Sequence, residues 1–453
     1  MTAGTLAILM LFAFITVSAL TQTWKGCAGY GLWAVLCPTW NWRWSLPSFG
    51  YQKYIAGATL VGFLLSGMRR QKLTRSGTIA ILGLCTYLVL SFAAAQQSIN
   101  PVKAAQYMDV TWKMVLMAVI ACWTIDDARK LVIFCWALCI AQGWNAVNIN
   151  QLYYQYGINV NYFTWNYLDN NVYSISSVPP MAVSFALMLY APRRWMMCLA
   201  SVIFILQMHQ LMILQSRGTM IGAIALVLFG VFFMKKNRRT IGLIGGGVLA
   251  AAVLAGPSVV KEFSSAFAEE GERDSSADSR FKLWSAGAKI MVDYPLLGVG
   301  PWAGERYVHR YYDGGTGKNK ALHNLFFEVG TGSGIPALIG YLAYFLAPFL
   351  GHFYLWRRHR GRFPEWMRIC NLVVLAGIPG YFVASMFSSG ALLESPYLLV
   401  AIGIASLAVY ANSPQNASPA QASREDRRSE ATPDPDSATG AALGSHDDVV
   451  HAG

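Results

Sequence analysis

An all-α polytopic membrane protein of about 12 transmembrane helices, with one long outer loop, is the architecture this sequence predicts. Three observations predict it. Only 13% of the 453 residues are charged and 55% are apolar, where a soluble globular domain carries roughly 25% charged residues. Apolar runs such as 77–95 and 218–233 are about long enough to cross a hydrocarbon core of roughly 30 Å as helices. Third, basic residues cluster in short loops between every second pair of runs. The runs are continuous rather than alternating, which excludes a porin-type barrel. A soluble enzyme, a disulfide scaffold and a nucleic-acid binder are excluded by the same composition, despite the net charge of +12.

The predicted spans are 4–20, 51–68, 77–95, 109–123, 131–150, 172–191, 194–214, 218–234, 240–256, 335–356, 367–388 and 394–411. The first lacks a basic n-region and reads as a retained span rather than a signal peptide. Five basic clusters fall between them: Arg69 to Arg75, Arg129-Lys130, Arg193-Arg194, Lys235 to Arg239, and Arg357 to Arg368. Two spans separate each cluster from the next, so the positive-inside rule puts all five in the cytoplasm. Twelve spans then put both termini inside.

Between the first two spans, residues 24–50 hold Trp24, Trp33, Trp40, Trp42 and Trp44. This reads as an interfacial segment at the outer face, where indole rings favour the headgroup region. Six of the eight cysteines lie in or beside apolar runs, and Cys27 and Cys37 remain as a pair that could bridge outside. The chain thus divides into helices 1–9 over 1–256, an outer loop over 257–334, helices 10–12 over 335–411, and a tail over 412–453. The tail is rich in Ser, Pro, Ala, Asp and Glu, a composition that cannot bury enough apolar surface to order itself.

The outer loop begins acidic, with Glu269, Glu270, Glu272, Asp274 and Asp278. It then turns basic and aromatic through Arg280, Lys282, Trp284, Trp302, Arg306 and Arg310. Positive charge there opposes the positive-inside bias, and loops this long in a compact protein are usually functional. Arg217, in Ser216-Arg217-Gly218, sits at the outer hinge of two spans. An arginine so near hydrocarbon is costly unless partnered, although a snorkelling arginine at a helix end reads the same way. Arg280 opens an amphipathic stretch that leads to Pro295-Leu296-Leu297-Gly298-Val299-Gly300, which equally suits a helix lying on the membrane. His323, in His323-Asn324, precedes the Gly-rich 330–334, and most lone histidines are structural.

Other signals fail. Gly315-Thr316-Gly317-Lys318-Asn319 lacks the first glycine and the Ser/Thr of a phosphate-binding loop. No carboxylate pair in the outer loop has metal-ligand spacing, and the one Asp-x-Asp, Asp434 and Asp436, is in the tail. No metal and no cofactor are expected.

Taken in order, Ser216-Arg217-Gly218, Arg280 to Trp284 with Pro295–Gly300, and His323-Asn324 before a Gly-rich turn resemble the bacterial O-antigen ligase and O-antigen polymerase superfamily. Leu168-Asp169-Asn170-Asn171 and the aromatic start at 38–47 are similar to the exosortase-associated O-glycosylation ligase subgroup. The resemblance implies a GT-C-type glycosyltransferase of the bacterial inner membrane. Such proteins take a glycan from a polyprenyl-diphosphate carrier at the periplasmic face. Transfer goes to a hydroxyl of lipid A–core, of a growing polysaccharide or of a protein. It maps the two diphosphate-binding arginines onto Arg217 and Arg280 and the essential histidine onto His323, and it implies a metal-independent, inverting transfer. The expected partners are the lipid-linked glycan donor, a glycan, lipid A–core or protein acceptor, and membrane lipids, with no nucleic acid. Ligase-like transfer is the first reading, with an O-antigen or exopolysaccharide polymerase or a protein O-oligosaccharyltransferase as the alternative; a lipid-linked glycan transporter is disfavoured because transporters place ionisable groups near the midplane.

Overall fold

The computed structural model describes residues 2–156, 163–254, 275–312, 320–359 and 361–413. Glu269, Glu270, Glu272 and Asp274 of the outer loop, the Gly315–Asn319 stretch and all but the first two residues of the tail lie outside the described residues. Met1–Val409 form one compact unit. Its helices are α1 (Ala3–Thr21), α2 (Thr23–Leu36), α3 (Pro38–Asn41), α4 (Tyr51–Leu65), α5 (Arg75–Gln96), α6 (Pro101–Thr124), α7 (Ala128–Tyr156), α8 (Asn170–Tyr190) and α9 (Arg194–Ile213). They continue as α10 (Arg217–Phe233), α11 (Arg238–Leu254), α12 (Ser275–Asp293), α13 (Gly304–Tyr311), α14 (Leu325–Ser333), α15 (Ile335–His359), α16 (Glu365–Ser385) and α17 (Glu394–Ala411). No strand occurs among the described residues, so the all-α membrane architecture stands.

Eight of these helices are long and apolar enough to cross a membrane: α1, α5, α7, α8, α9, α15, α16 and α17. The predicted count of 12 also relied on shorter or less apolar segments, such as 51–68, which folds as the 15-residue α4, and 218–234, which folds as the 17-residue α10. The core is built on α8, α16 and α17. The best apolar window of α8 is 89% buried, against 22% for α1. A chain in lipid is apolar on both its inner and its lipid-facing sides, so only burial separates the two.

Two helix pairs approach through glycine. A Cβ on Gly83 of α5 would lie 2.6 Å from the Gly340 carbonyl oxygen of α15, and one on Gly340 would lie 2.7 Å from that of Gly83. Gly222 of α10 and Gly380 of α16 make the same reciprocal contact, at 2.7 and 3.1 Å. Small residues permit such backbone proximity, and dispersion rather than hydrophobicity then holds the pair in lipid.

The start of the chain differs from expectation. A Cβ on Gly4 would lie 2.9 Å from the Trp42 indole nitrogen, and the Thr5 hydroxyl meets that of Ser45 at 2.6 Å. At the other end of α1, Ala19 abuts Gly62 near the end of α4. The short α2 begins there, with Lys130 against the Trp24 ring and Cys27 3.7 Å from Thr124. It ends at the opposite pole, where Val35 accepts from Asn145 and Asn166. Thus α1 starts at the pole that carries α12–α14, and not with the basic loops as twelve alternating spans would require. Within residues 24–50, the part up to Leu36 is the inward-packed α2 rather than a surface segment, whereas α3 and the turn after it stay at the surface, with Trp44 87% exposed. Gly26, Gly29 and Gly31 let α2 nest against Thr59, Ile15 and Phe134. Cys27 and Cys37 stand at opposite ends of α2, and both thiols are free.

Candidate functional site

The outer-loop helices form a small core of their own. Leu283, Ala286 and Ile290 of α12 pack with Val299, Ala303, Val308 and Leu322. The segment Pro295–Gly300 is clamped to α14 and to the start of α15 by backbone bonds. Val299 N–H donates to Thr331 O at 2.8 Å, Gly300 N–H to Gly332 O at 3.0 Å, and Ile335 N–H to Pro295 O at 2.8 Å. Gly298 sits at φ +64°, and a Cβ there would lie 2.2 Å from the Thr331 carbonyl. Only glycine meets both the left-handed backbone and that approach, which explains the Gly-Val-Gly pattern.

His323 precedes α14. Asn324 caps that helix, its side-chain oxygen accepting from Phe326 and Phe327 N–H at 2.9 and 3.3 Å, while its amide donates to Met386 O at 3.1 Å. This holds His323 at φ 47°, a left-handed conformation rare outside glycine that persists only when its surroundings impose it. The residue as a whole is exposed, but neighbouring protein desolvates its ring. Its pKa is lowered from the ordinary 6.5, first by that desolvation and then by the Arg280 guanidinium, while the Asp169 carboxylate acts the other way. Arg280 and Asp169 are therefore both within electrostatic reach of His323.

Arg217 opens α10, and Gln215 just before it is also left-handed, at φ 52°. The Ser216 hydroxyl donates to Asn171 Oδ1 at 3.0 Å, and the Asn170 amide donates to Leu214 O at 3.0 Å. Asp169 caps α8 by accepting from Asn171 and Val172 N–H. The Leu168–Asn171 segment thus ties the Arg217 hinge to the electrostatic neighbourhood of His323. A second link runs through Phe387. A Cβ on Gly218 would lie 2.4 Å from the Phe387 Cβ, and the Phe387 ring meets Trp284, one turn after Arg280, at 6.2 Å. The Trp284 indole N–H is buried without a hydrogen-bond partner.

Arg217, Arg280 and His323 are thereby gathered at one pole around residues 386–387. Residues 202–342 match the family model described as O-antigen ligase. These residues form a ligase-like domain, similar to the O-antigen ligases. The ligase domain spans from α9 into α15 and contains all three site residues, and it supports glycan transfer of the ligase or polymerase type. No curated protein matches the chain in sequence.

Within the ligase domain, Glu328 is a feature the sequence did not single out. Trp302 Nε1 donates to its Oε1 at 2.9 Å, and Oε2 meets no donor within hydrogen-bond geometry. Burial pushes its carboxyl up to about 7, against the opposing influence of Trp302 and the Gly390 and Ala391 amides. Its five-residue spacing from His323 puts the two on different faces, so spacing gave no sign of it. No group of three His, Cys, Asp or Glu side chains placed to hold a metal occurs among the described residues.

Proposed function

We propose that the protein moves a glycan from a polyprenyl-diphosphate carrier onto an acceptor hydroxyl, at the periplasmic face of the bacterial inner membrane. The observation that carries this reading is the convergence of Arg280, His323 and the Arg217 hinge at one pole within the ligase domain. As the bond between sugar C1 and the diphosphate oxygen breaks, negative charge builds on the leaving group. Guanidinium groups bind such oxygens in a forked geometry and stay charged at any working pH. Placed where the charge develops, they lower the barrier with little reorganisation. The lowered His323 pKa keeps the imidazole neutral near pH 7, ready to take the acceptor's proton as its oxygen attacks C1. One such displacement inverts the anomeric centre.

Purified protein incubated with lipid-linked glycan and acceptor extracted from the source membranes should release polyprenyl diphosphate and form a glycosidic product. Mass analysis of that product separates lipid A–core, polysaccharide and protein acceptors. Turnover should persist in excess EDTA and fall at least 10²-fold in His323→Ala, within the usual range for a general base. Near-normal turnover of that variant would remove the base assignment, and loss of activity in EDTA that Mg²⁺ restores would remove the metal-independent mechanism.

A further inference from the structure

A cavity of about 420 Å³ opens beside this site, between α2, the start of α4, the turn before α8 and the start of α17. Trp33, Tyr51, Gln52, Lys53, Asn166 and Glu394 line it. The volume falls in the range of small-molecule sites. One carboxylate there points to a ligand. Glu394 takes both its hydrogen bonds on Oε1, from the Tyr30 hydroxyl at 3.0 Å and the Gln52 amide at 2.5 Å. Its Oε2 accepts none from the described residues. Leu168 also lines the cavity, one residue before Asp169, which reaches His323 electrostatically.

We infer that this cavity binds a saccharide unit of one of the two substrates, an inference that rests on the transferase reading. The Tyr167 ring, exposed at the rim, offers a flat face to the C–H face of a sugar ring. Hydroxyls on the ring edge need donors and acceptors of the kind that Glu394, Gln52 and Asn166 supply. A carboxylate disfavours a phosphate here, and the amides disfavour an acyl chain. The saccharide belongs either to the outer part of the donor glycan or to the acceptor.

The test uses the full chain in lipid nanodiscs. Cys37, Cys85 and Cys198, the three cysteines not fully buried, are replaced by Ser, and the exposed rim residue Lys53 by Cys. Labelling of Lys53→Cys by an impermeant maleimide is timed with extracted lipid-linked glycan, with acceptor glycan, and with inorganic pyrophosphate. One glycan should slow labelling about tenfold, which also identifies its source, and pyrophosphate should not. Adding Glu394→Gln should abolish the protection. Protection by pyrophosphate, by neither glycan, or undiminished in Glu394→Gln would overturn the inference. The Cys-replaced protein is assayed for transfer in parallel. Turnover without protection discards the cavity and leaves the transferase; protection without turnover keeps a saccharide site and discards the transferase.

Discussion

Asp169 occupies two positions at once, as the cap of α8 and as the negative charge facing His323. The two are separable, because asparagine caps a helix as well as aspartate does. Asp169→Asn should keep α8 intact and remove the one influence that raises the His323 pKa. A base must be neutral to act, so activity falls as pH drops through its pKa. The acidic limb of kcat/KM, already below the ordinary 6.5, should therefore move to still lower pH in Asp169→Asn. A limb that stays in place or moves upward would show that His323 does not set it. The arginines call for a different substitution. An ammonium cannot make the forked contact, so Arg217→Lys and Arg280→Lys should each lose roughly 10²–10³-fold in kcat, as expected for one lost transition-state donor. Wild-type rates in both would remove the diphosphate clamp. In the sequence Arg217 stood out as charge beside hydrocarbon, and Arg280 and His323 took their proposed roles from the family resemblance. Asp169 was visible only as part of a motif, and Phe387, Glu328 and Trp284 Nε1 were not visible as site groups, because their meaning comes from contacts across more than a hundred residues or from burial.

At the scale of the helix, glycine carries information that hydropathy does not. Gly222 and Gly242 both lie in apolar helices and look alike in sequence. A Cβ on Gly222 would press on Ala384 at 2.6 Å, while one on Gly242 would meet nothing within 4 Å. Overpacking a filled contact costs about 1–3 kcal/mol, so Gly222→Leu should lower the unfolding midpoint in detergent, and Gly242→Leu should leave it within error. Equal effects at both sites would show that α10 and α16 are not packed as closely as described. The same reasoning explains why α2 escaped a reading based on apolar runs. Three glycines and a lysine in 14 residues dilute its hydropathy, yet those glycines are what admit it among α1, α4 and α7. A helix enclosed by protein need not be apolar enough to face lipid.

For the molecule as a whole, the basic clusters and the site occupy opposite poles, which matches the alternation read from charge. Arg70 lies over Trp123, the Lys235 N–H donates to the Tyr190 hydroxyl, and Trp356 Nε1 donates to Phe233 O, all at the pole away from His323. The direction of α1 was not legible, since no basic cluster follows it to report its turn. Counting α2 as a crossing reverses the expected position of residue 2 without disturbing any later helix. Single-cysteine labelling in spheroplasts, again with the three cysteines that are not fully buried replaced by Ser, distinguishes the two arrangements. If the site pole faces the periplasm, Lys282→Cys should react with an impermeant thiol reagent in intact spheroplasts, and Arg362→Cys only after permeabilisation. Thr2→Cys should then behave like Lys282→Cys, because Gly4 and Thr5 lie against Trp42 and Ser45 at the site pole. Gln22→Cys should behave like Arg362→Cys, because the turn between α1 and α2 adjoins Lys130 and Thr124. Labelling of Gln22→Cys from outside, with Thr2→Cys protected, would restore the twelve-span arrangement and return 24–50 to the outer surface. Labelling of Arg362→Cys from outside, with Lys282→Cys protected, would invert the whole molecule and move the proposed chemistry to the cytoplasmic side.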